Sequence, residues 1–320
     1  MKFGKLIAAC VVSMLVSLTG AWAQAGYPTQ IVKIVVPFSA GSNTDILARI
    51  LAERLGPMWG QTVIVENKPG ITGTISVANS PADGYTLMLT SNGHTILNAL
   101  NKDLSIDPVT SFVGVTEVAS VPLVLIVAPE VQANTLKEFT ALAKANPGKL
   151  NFASAGLASS NYIAGELLKQ TAAIDIVHIP YRGTPEQLTS LMRGDAQLSM
   201  AFLGTALSFI QAGKVRAVAI ATPQRSPSLP DVPTFAEAGL PDYKYDSWFG
   251  LMAPAKTPAP ILKRVSDDVA KILKEPDVQK RLETLGAVPV GNTPEQFDAM
   301  IRSDTDRYGK LLKAAGITPK

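Results

Sequence analysis

Residues 31–59 read IVKIVVPFSAGSNTDILARILAERLGPMW, and their reading decides the fold. The first six are rich in β-branched side chains and end at Pro37, the pattern of a buried strand. Phe38-Ser39-Ala40-Gly41-Ser42-Asn43 follows, a loop of small and hydroxyl or amide residues. Thr44 and Asp45 suit a helix start. Ile46, Leu47, Ile50, Leu51 and Leu55 then recur at helical spacing. A loop with so little bulk lets a ligand approach the backbone. A helix start behind it offers free N–H groups and a partial positive charge, which together make a possible anion seat. An ordinary strand-to-helix turn would look the same from this stretch alone.

Upstream, residues 1–23 carry Lys2 and Lys5, an apolar run over 6–18, and Thr19-Gly20-Ala21-Trp22-Ala23. That order of charged, apolar and small residues predicts an export signal cleaved after Ala23. Cys10 follows Ile7-Ala8-Ala9, as in a lipoprotein acceptor, but cleavage there would leave almost no apolar region before it. With the segment removed, the mature chain keeps no cysteine, so neither a disulfide framework nor a thiol nucleophile is expected. Without Lys2 and Lys5 the 29 basic residues become 27, against 26 acidic ones. A near-neutral chain with 6% aromatics and no basic run longer than two argues against nucleic acid as a partner.

Downstream, a strand over 62–65, a glycine-rich helix start at Gly70-Ile71-Thr72-Gly73 and a strand over 85–90 complete a βαβαβ order. This predicts an α/β fold with parallel strands, whose ligands sit beyond the strands' carboxyl ends. The loops 38–43 and 91–94 would both lie there. Strands over 112–119 and 123–127 and a helix over 136–145 follow. Residues 150–171 then repeat the opening pattern: a strand, the small loop Ser154-Ala155-Gly156-Leu157-Ala158-Ser159, and a helix. Two matched loops suggest two opposed anion seats, one in each of two lobes. Further strands are predicted over 176–179, 197–202 and 216–221, with helices over 186–192 and 205–211. The proline-rich stretch 222–241 reads as loop with a short helix near 235–238. A strand over 247–253 crosses back to the first lobe, and helices over 258–274, 276–285 and 294–315 complete the chain.

The chain lacks metal-ligand spacings, a G-x-S-x-G elbow, a G-x-G-x-x-G turn and a Walker sequence. No cofactor and no metal are therefore expected. His178 alternates within a strand and reads as a packed sheet residue. His94, in a cleft loop beside Ser91, is the better ligand contact. Asp45 reads as a helix-start carboxylate. Neither anion-seat loop contains Lys or Arg; Arg182, in a separate loop, is the nearest candidate. A carboxylate would then rely on backbone N–H groups, hydroxyls and water. Four charge-assisted bonds at roughly 1.5–3 kcal/mol each could support micromolar binding only if two seats close on one ligand.

Several short stretches carry a family resemblance. They are Tyr27-Pro28; Ile34-Val35-Val36-Pro37-Phe38 with Gly41 and Thr44-Asp45; Val65-Glu66-Asn67-Lys68-Pro69-Gly70; and Pro81-Ala82-Asp83-Gly84-Tyr85-Thr86-Leu87. Asn151-Phe152-Ala153-Ser154-Ala155-Gly156, His178-Ile179-Pro180-Tyr181, Leu229-Pro230-Asp231-Val232-Pro233-Thr234 and Trp248-Phe249-Gly250-Leu251 continue the order. In these the chain resembles a Bug-type periplasmic solute receptor of the tripartite tricarboxylate transporter family. The resemblance implies a two-lobed type II periplasmic binding protein fold, each lobe a mixed, mainly parallel sheet flanked by helices, with a hinge between. It divides the chain into a signal segment 1–23, lobe 1 over 24–125 and 248–320, and lobe 2 over 126–247. It implies a small carboxylate ligand (di-, tricarboxylic or aromatic), membrane permease subunits as partner, a monomer, a periplasmic location and no catalysis.

By the same resemblance the ligand contacts are Phe38, Ala40, Gly41, Ser42, Asn43, Thr44 and Asp45 in one lobe, with Ser91 and His94. In the other lobe they are Ser154, Ala155, Gly156 and Ser159, with Tyr181, Ala201 and Phe202 on the distal side. Ser42, Asn161 and Gln197 or Ala201 depart from residues common in such receptors: glycine, histidine and aspartate respectively. An aspartate missing from the pocket would leave no seat for a ligand ammonium, so a ligand without an amino group is expected. Two other readings remain open: a secreted hydrolase using Ser91 or Ser154 with His94, and a receptor feeding a signalling partner.

Overall fold

The computed structural model describes residues 26–157 and 159–319. The expected signal segment, and Cys10 with it, lies outside the described residues. The opening stretch folds as β1 (Val32–Val36), a loop, and α1 (Asn43–Trp59). β2 (Val63–Asn67), α2 (Ile71–Ala78) and β3 (Thr86–Ser91) follow. Both β2 and β3 pair with β1 in parallel, with Ile34 opposite Val65 on one side and Leu87 on the other. Parallel strands need a crossover each, and α1 and α2 supply them.

A 3₁₀ turn (Asn92–Ile96) and the short α3 (Leu97–Leu100) occupy what reads in sequence as a plain loop at 91–94. β4 (Phe112–Ser120) then runs antiparallel to β10 (Trp248–Pro254), which is itself antiparallel to β3. With β11 (Val288–Pro289) on the edge, the first sheet has the order β11-β4-β10-β3-β1-β2.

The second sheet contains β5 (Leu123–Val127), β6 (Asn151–Ser154), β7 (Val177–Pro180), β8 (Leu198–Phe202) and β9 (Arg216–Ile220), in the order β7-β6-β8-β5-β9. α4 (Leu136–Ala145), α5 (Ser160–Ala172), α6 (Thr184–Arg193) and α7 (Leu203–Gln211) intervene. Both sheets are mixed, but parallel ladders do not predominate in either. Strands β4, β5 and β10, next to the crossings, run antiparallel to their neighbours, and only the βαβ portions stay parallel.

The chain passes between sheets at Val121–Pro122, ahead of β5, which pairs along its whole length in the second sheet. A boundary after residue 125 would therefore cut a strand. The returning segment runs beside this crossing: Val121 N–H donates to the Ser247 carbonyl at 2.9 Å, and Ser120 Oγ to Asp246 at 2.7 Å. Two adjacent connections of this kind are what a hinge between lobes requires.

Alternation along the strands places the core. Ile34 and Val36 of β1 face one apolar cluster, while Val35 joins Met88, Trp248, Met252 and Phe297 on the opposite face of the first sheet. α8 (Ala259–Ile272), α9 (Pro276–Thr284) and α10 (Pro294–Ala314) close the chain, α10 opening with a Thr293–Gln296 capping box. The expected helix near 235–238 does not form. Pro233 and Gly239 leave room for a single turn, closed by Ala238 N–H to the Thr234 carbonyl at 2.9 Å, while Phe235 N–H pairs back to Ile220.

Candidate functional site

A cavity of about 480 Å³ lies between the two sheets. The first lobe contributes Pro37 and Phe38 from the end of β1, Gly70, Ile71 and Thr74 from the start of α2, and Thr90 from β3. His94, Leu97, Leu100 and Asn101 complete that wall. The second lobe contributes Ala155, Gly156 and Leu157 after β6, and Pro180, Tyr181 and Arg182 after β7. All these segments but the α3 region leave strand ends or begin helices, where α/β sheets place ligands. The lobes meet beside the cavity: a Cβ at Gly183 would stand 2.1 Å from Ser39 Oγ, and one at Gly41 3.9 Å from Pro185.

The first glycine loop is tied to itself. Asp45, buried, accepts from Gly41 N–H at 2.9 Å, from Arg49 Nε at 3.0 Å and from Asn67 Nδ2 at 3.0 Å. Burial pushes its pKa up, but these donors outweigh burial and hold it below the usual carboxylate range. Asn67 also donates to the Phe38 carbonyl at 3.2 Å, and Ser42 caps the helix by accepting from Asp45 N–H. The Gly41 N–H expected to meet a ligand is thus engaged within its own loop. Ala40 and Gly41 are exposed at the lip, whereas Ser42, Asn43, Thr44 and Asp45 are buried beneath it. Both amide atoms of Asn43 and the hydroxyl of Ser91 are buried without a partner among the described residues. Of this loop's candidates, only Phe38 lines the cavity.

The second loop is held by a histidine. Ser154 Oγ lies 2.6 Å from His178 Nε2, and it accepts from Gly156 N–H at 3.1 Å. His178 packs against the rings of Phe152 and Tyr162, 4.7 and 4.5 Å away. Burial, with a smaller contribution from Lys169, lowers its pKa to about 4. Gly156 takes φ 109°, a region that side chains avoid, so glycine is what lets this turn bring its backbone to the cavity wall. Ser159 caps α5 by accepting from Tyr162 N–H and donates to the Gly156 carbonyl at 2.6 Å. Ala155, Gly156 and Tyr181 line the cavity, while Ser154 and Ser159 support them from behind.

Ala201 and Phe202 stand elsewhere. Ala201 is fully buried within the second sheet, opposite Val124, and Phe202 packs on Phe249 at 5.1 Å. Neither lines the cavity: their strand is central to its sheet, and Phe249 of the first lobe packs over its end. The hydrolase constellation also fails to assemble. Ser154 pairs with His178, and His94 Nε2 donates to the Pro108 carbonyl at 2.8 Å. Sequence reading missed Ile71, Leu97, Leu100 and Leu157, whose apolar character resembles any core residue. The glycine-rich start at Gly70 was the one available signal for the α2 wall.

His94 is buried against Phe112, and burial lowers its pKa to about 4, opposed only in part by the Pro108 carbonyl. Between pH 4 and 6.5 the unfolded chain therefore binds protons that folded His94 and His178 refuse. Their contribution to stability is complete above about pH 6.5 and is lost as pH falls toward 4. Glu117 opposes this: burial, then Asp246 and Asp304, raise its pKa to about 7. His94→Gln, which keeps a donor for Pro108, should flatten the pH dependence of unfolding free energy by about 1 kcal/mol per pH unit near pH 5.5. Denaturant titrations of both proteins at pH 5 and 6 measure it, and an unchanged slope would show that His94 titrates normally.

A family model described as "Tripartite tricarboxylate transporter family receptor" matches residues 47–317. The solved periplasmic binding protein BugD is 33% identical over 92% of this chain and all of its own, with a TM-score of 0.85. The R. palustris protein Rpa4515, solved with adipate, gives the same identity, coverage and score. MatC from Rhodopseudomonas palustris, solved with bound malate, is 32% identical over 89% of this chain and all of its own, with a TM-score of 0.83. Two mixed sheets, a cleft between their strand ends and a profile match across most of the sequence agree, and the chain belongs to the tripartite tricarboxylate transporter receptor family.

Proposed function

We propose that this protein is an extracytoplasmic receptor that takes a small carboxylate between its lobes and delivers it to the transporter's membrane permease. It works as a monomer in the periplasm, after loss of segment 1–23. The observation that carries this reading is the cavity itself, walled by both lobes and lined by no acidic side chain. Phe38, His94, Ala155, Gly156 and Tyr181 are the contacts in this reading, with the loops at Gly41 and Ser154 holding the two jaws. Relatives solved with adipate and malate support the ligand class.

A ligand that binds only the folded chain raises its melting temperature, by about 2.7 kcal/mol of stabilisation at 100 times Kd. A thermal-shift screen over mono-, di- and tricarboxylates and aromatic acids should therefore produce at least one rise of several degrees. If no acid in the screen moves the midpoint, the carboxylate reading fails.

A further inference from the structure

We propose that the lobes rock on a backbone contact between Gly204 and Leu285, on the far side of the crossings from the ligand cleft, and that this contact limits how far the cleft opens. That a ligand gains from closure rests on the receptor reading above, but the contact is testable without a ligand.

Strand order places two cavities on opposite sides of the crossings. The ligand cleft lies toward the β1–β2 edge of the first sheet and the β6–β7 edge of the second. A second cavity, of about 790 Å³, lies at the other two edges. β11 and α9 wall it from the first lobe, the segment after β9 walls it from the second, and Pro122 of the crossing borders it. Between the two cavities run β4 and β10 in one sheet and β5 in the other, the strands that the crossings leave or enter. Two stiff lobes turning about these crossings act as a lever. What closes the cleft widens the second cavity, and what opens the cleft narrows it.

Leu203 and Gly286 both line the second cavity, and beside them the backbones of the two lobes meet. A Cβ at Gly204 would stand 2.0 Å from the Leu285 carbonyl oxygen and 2.5 Å from Leu285 Cα, where non-bonded carbons settle at roughly 3.5–4.0 Å. Gly204 is the second residue of α7 and has no left-handed φ, so alanine would suit its backbone better. What glycine supplies here is the close approach.

Neither side of the contact can yield locally. Leu203 N–H donates to the Pro122 carbonyl at 2.9 Å, which ties the start of α7 to the crossing. Leu285 and Ala287 N–H both donate to the Leu282 carbonyl, at 3.0 and 2.8 Å, and Val288 pairs with Ser120 of β4. Opening the cleft therefore presses the two backbones together. A side chain at position 204 is accommodated only with the lobes drawn toward closure.

The sequence has a single cysteine, Cys10, which the mature chain lacks. Spin labels on Ile64→Cys and Met192→Cys, exposed on β2 and α6, then report the lobe separation by double electron–electron resonance. In the ligand-free mature chain, a share of the distances should exceed the separation in this structure. Gly204→Ala should cut that share by about threefold or more, as a bias on a two-state equilibrium does. Gln279→Trp places an indole in the second cavity from an exposed position on α9 and should act in the same direction. If Gly204→Ala fails to fold, Gln279→Trp decides alone. An unchanged or larger long-distance share would overturn the inference, and so would a wild type that never opens. Either failure leaves the receptor reading to stand or fall by the thermal screen.

Discussion

Gly183→Val should weaken ligand binding roughly 5- to 150-fold while the chain folds and melts as before. Gly183 precedes α6 with φ 174° and ψ 178°, extended backbone that valine adopts readily. Its fold is therefore not at risk from the backbone. The space is: a Cβ there stands 2.1 Å from Ser39 Oγ and 3.4 Å from Ser39 Cβ, across the junction of the lobes. Ser39 Oγ can rotate away from a single methyl, but valine adds two more carbons beyond a Cβ that already stands 3.4 Å from Ser39 Cβ. Overpacking of this kind costs about 1–3 kcal/mol, and here it acts only on the closed arrangement. Affinity should fall roughly 5- to 150-fold. Adding Ser39→Gly removes the opposing side chain and should restore most of the loss. Calorimetry with the best ligand from the thermal screen measures both. Wild-type affinity in Gly183→Val would mean that the lobes need not meet here for binding.

Asn92→Ala should produce the largest loss of stability away from the apolar core. Asn92 is fully buried at the end of β3 and donates to Tyr245 Oη at 2.9 Å and to the Asp246 carbonyl at 3.1 Å. Its own carbonyl oxygen accepts from Ser160 Oγ, in the second lobe, and from Tyr245 Oη at 3.2 Å. Tyr245 in turn reaches the Ser160 carbonyl at 2.8 Å. One amide therefore joins the first lobe, the returning crossing and the start of α5.

Truncating it strands the buried Ser160 hydroxyl and takes the donor from the buried Tyr245 hydroxyl. At about 1–3 kcal/mol for each unsatisfied buried group, the loss is roughly 2–6 kcal/mol. Removing Ser160's hydroxyl as well should return about 1–3 kcal/mol, because a pair deleted together leaves no orphan. Denaturant unfolding of Asn92→Ala, Ser160→Ala and the double variant completes the cycle. Strict additivity would show that the two side chains are not coupled, and the bridge between lobes would have to be sought elsewhere.

Much of the fold is legible in the residues because its causes are local. The β-branched run at 31–36 ended by Pro37, the apolar spacing of 46–55 and the prolines opening the last helices mark their elements without reference to anything distant. The repeat of strand, small loop and helix at 150–171 is equally local, and it points to two lobes. Asp45 reads correctly as a helix-start carboxylate for the same reason: its partners Gly41 and Arg49 are four residues away on either side.

The orientation of strands beside the crossings, the single turn at 234–238 and the cavity wall are a different matter. Whether β4 and β10 run with or against their neighbours depends on how the chain passes between sheets, which no window of sequence contains. The Gly41 loop has the composition of an anion seat, yet its amide is already taken by Asp45. The cavity is walled instead by side chains about 140 residues apart, from Phe38 to Arg182, that meet only when two sheets close on each other. Sequence by itself determined the elements, the two lobes and the pair of small loops at strand ends, because short-range sterics and periodic burial set them. Tertiary structure alone decided which of those loop atoms remain free and which apolar residues face the cleft, because hydrogen-bond partners and burial are settled by what packs against them.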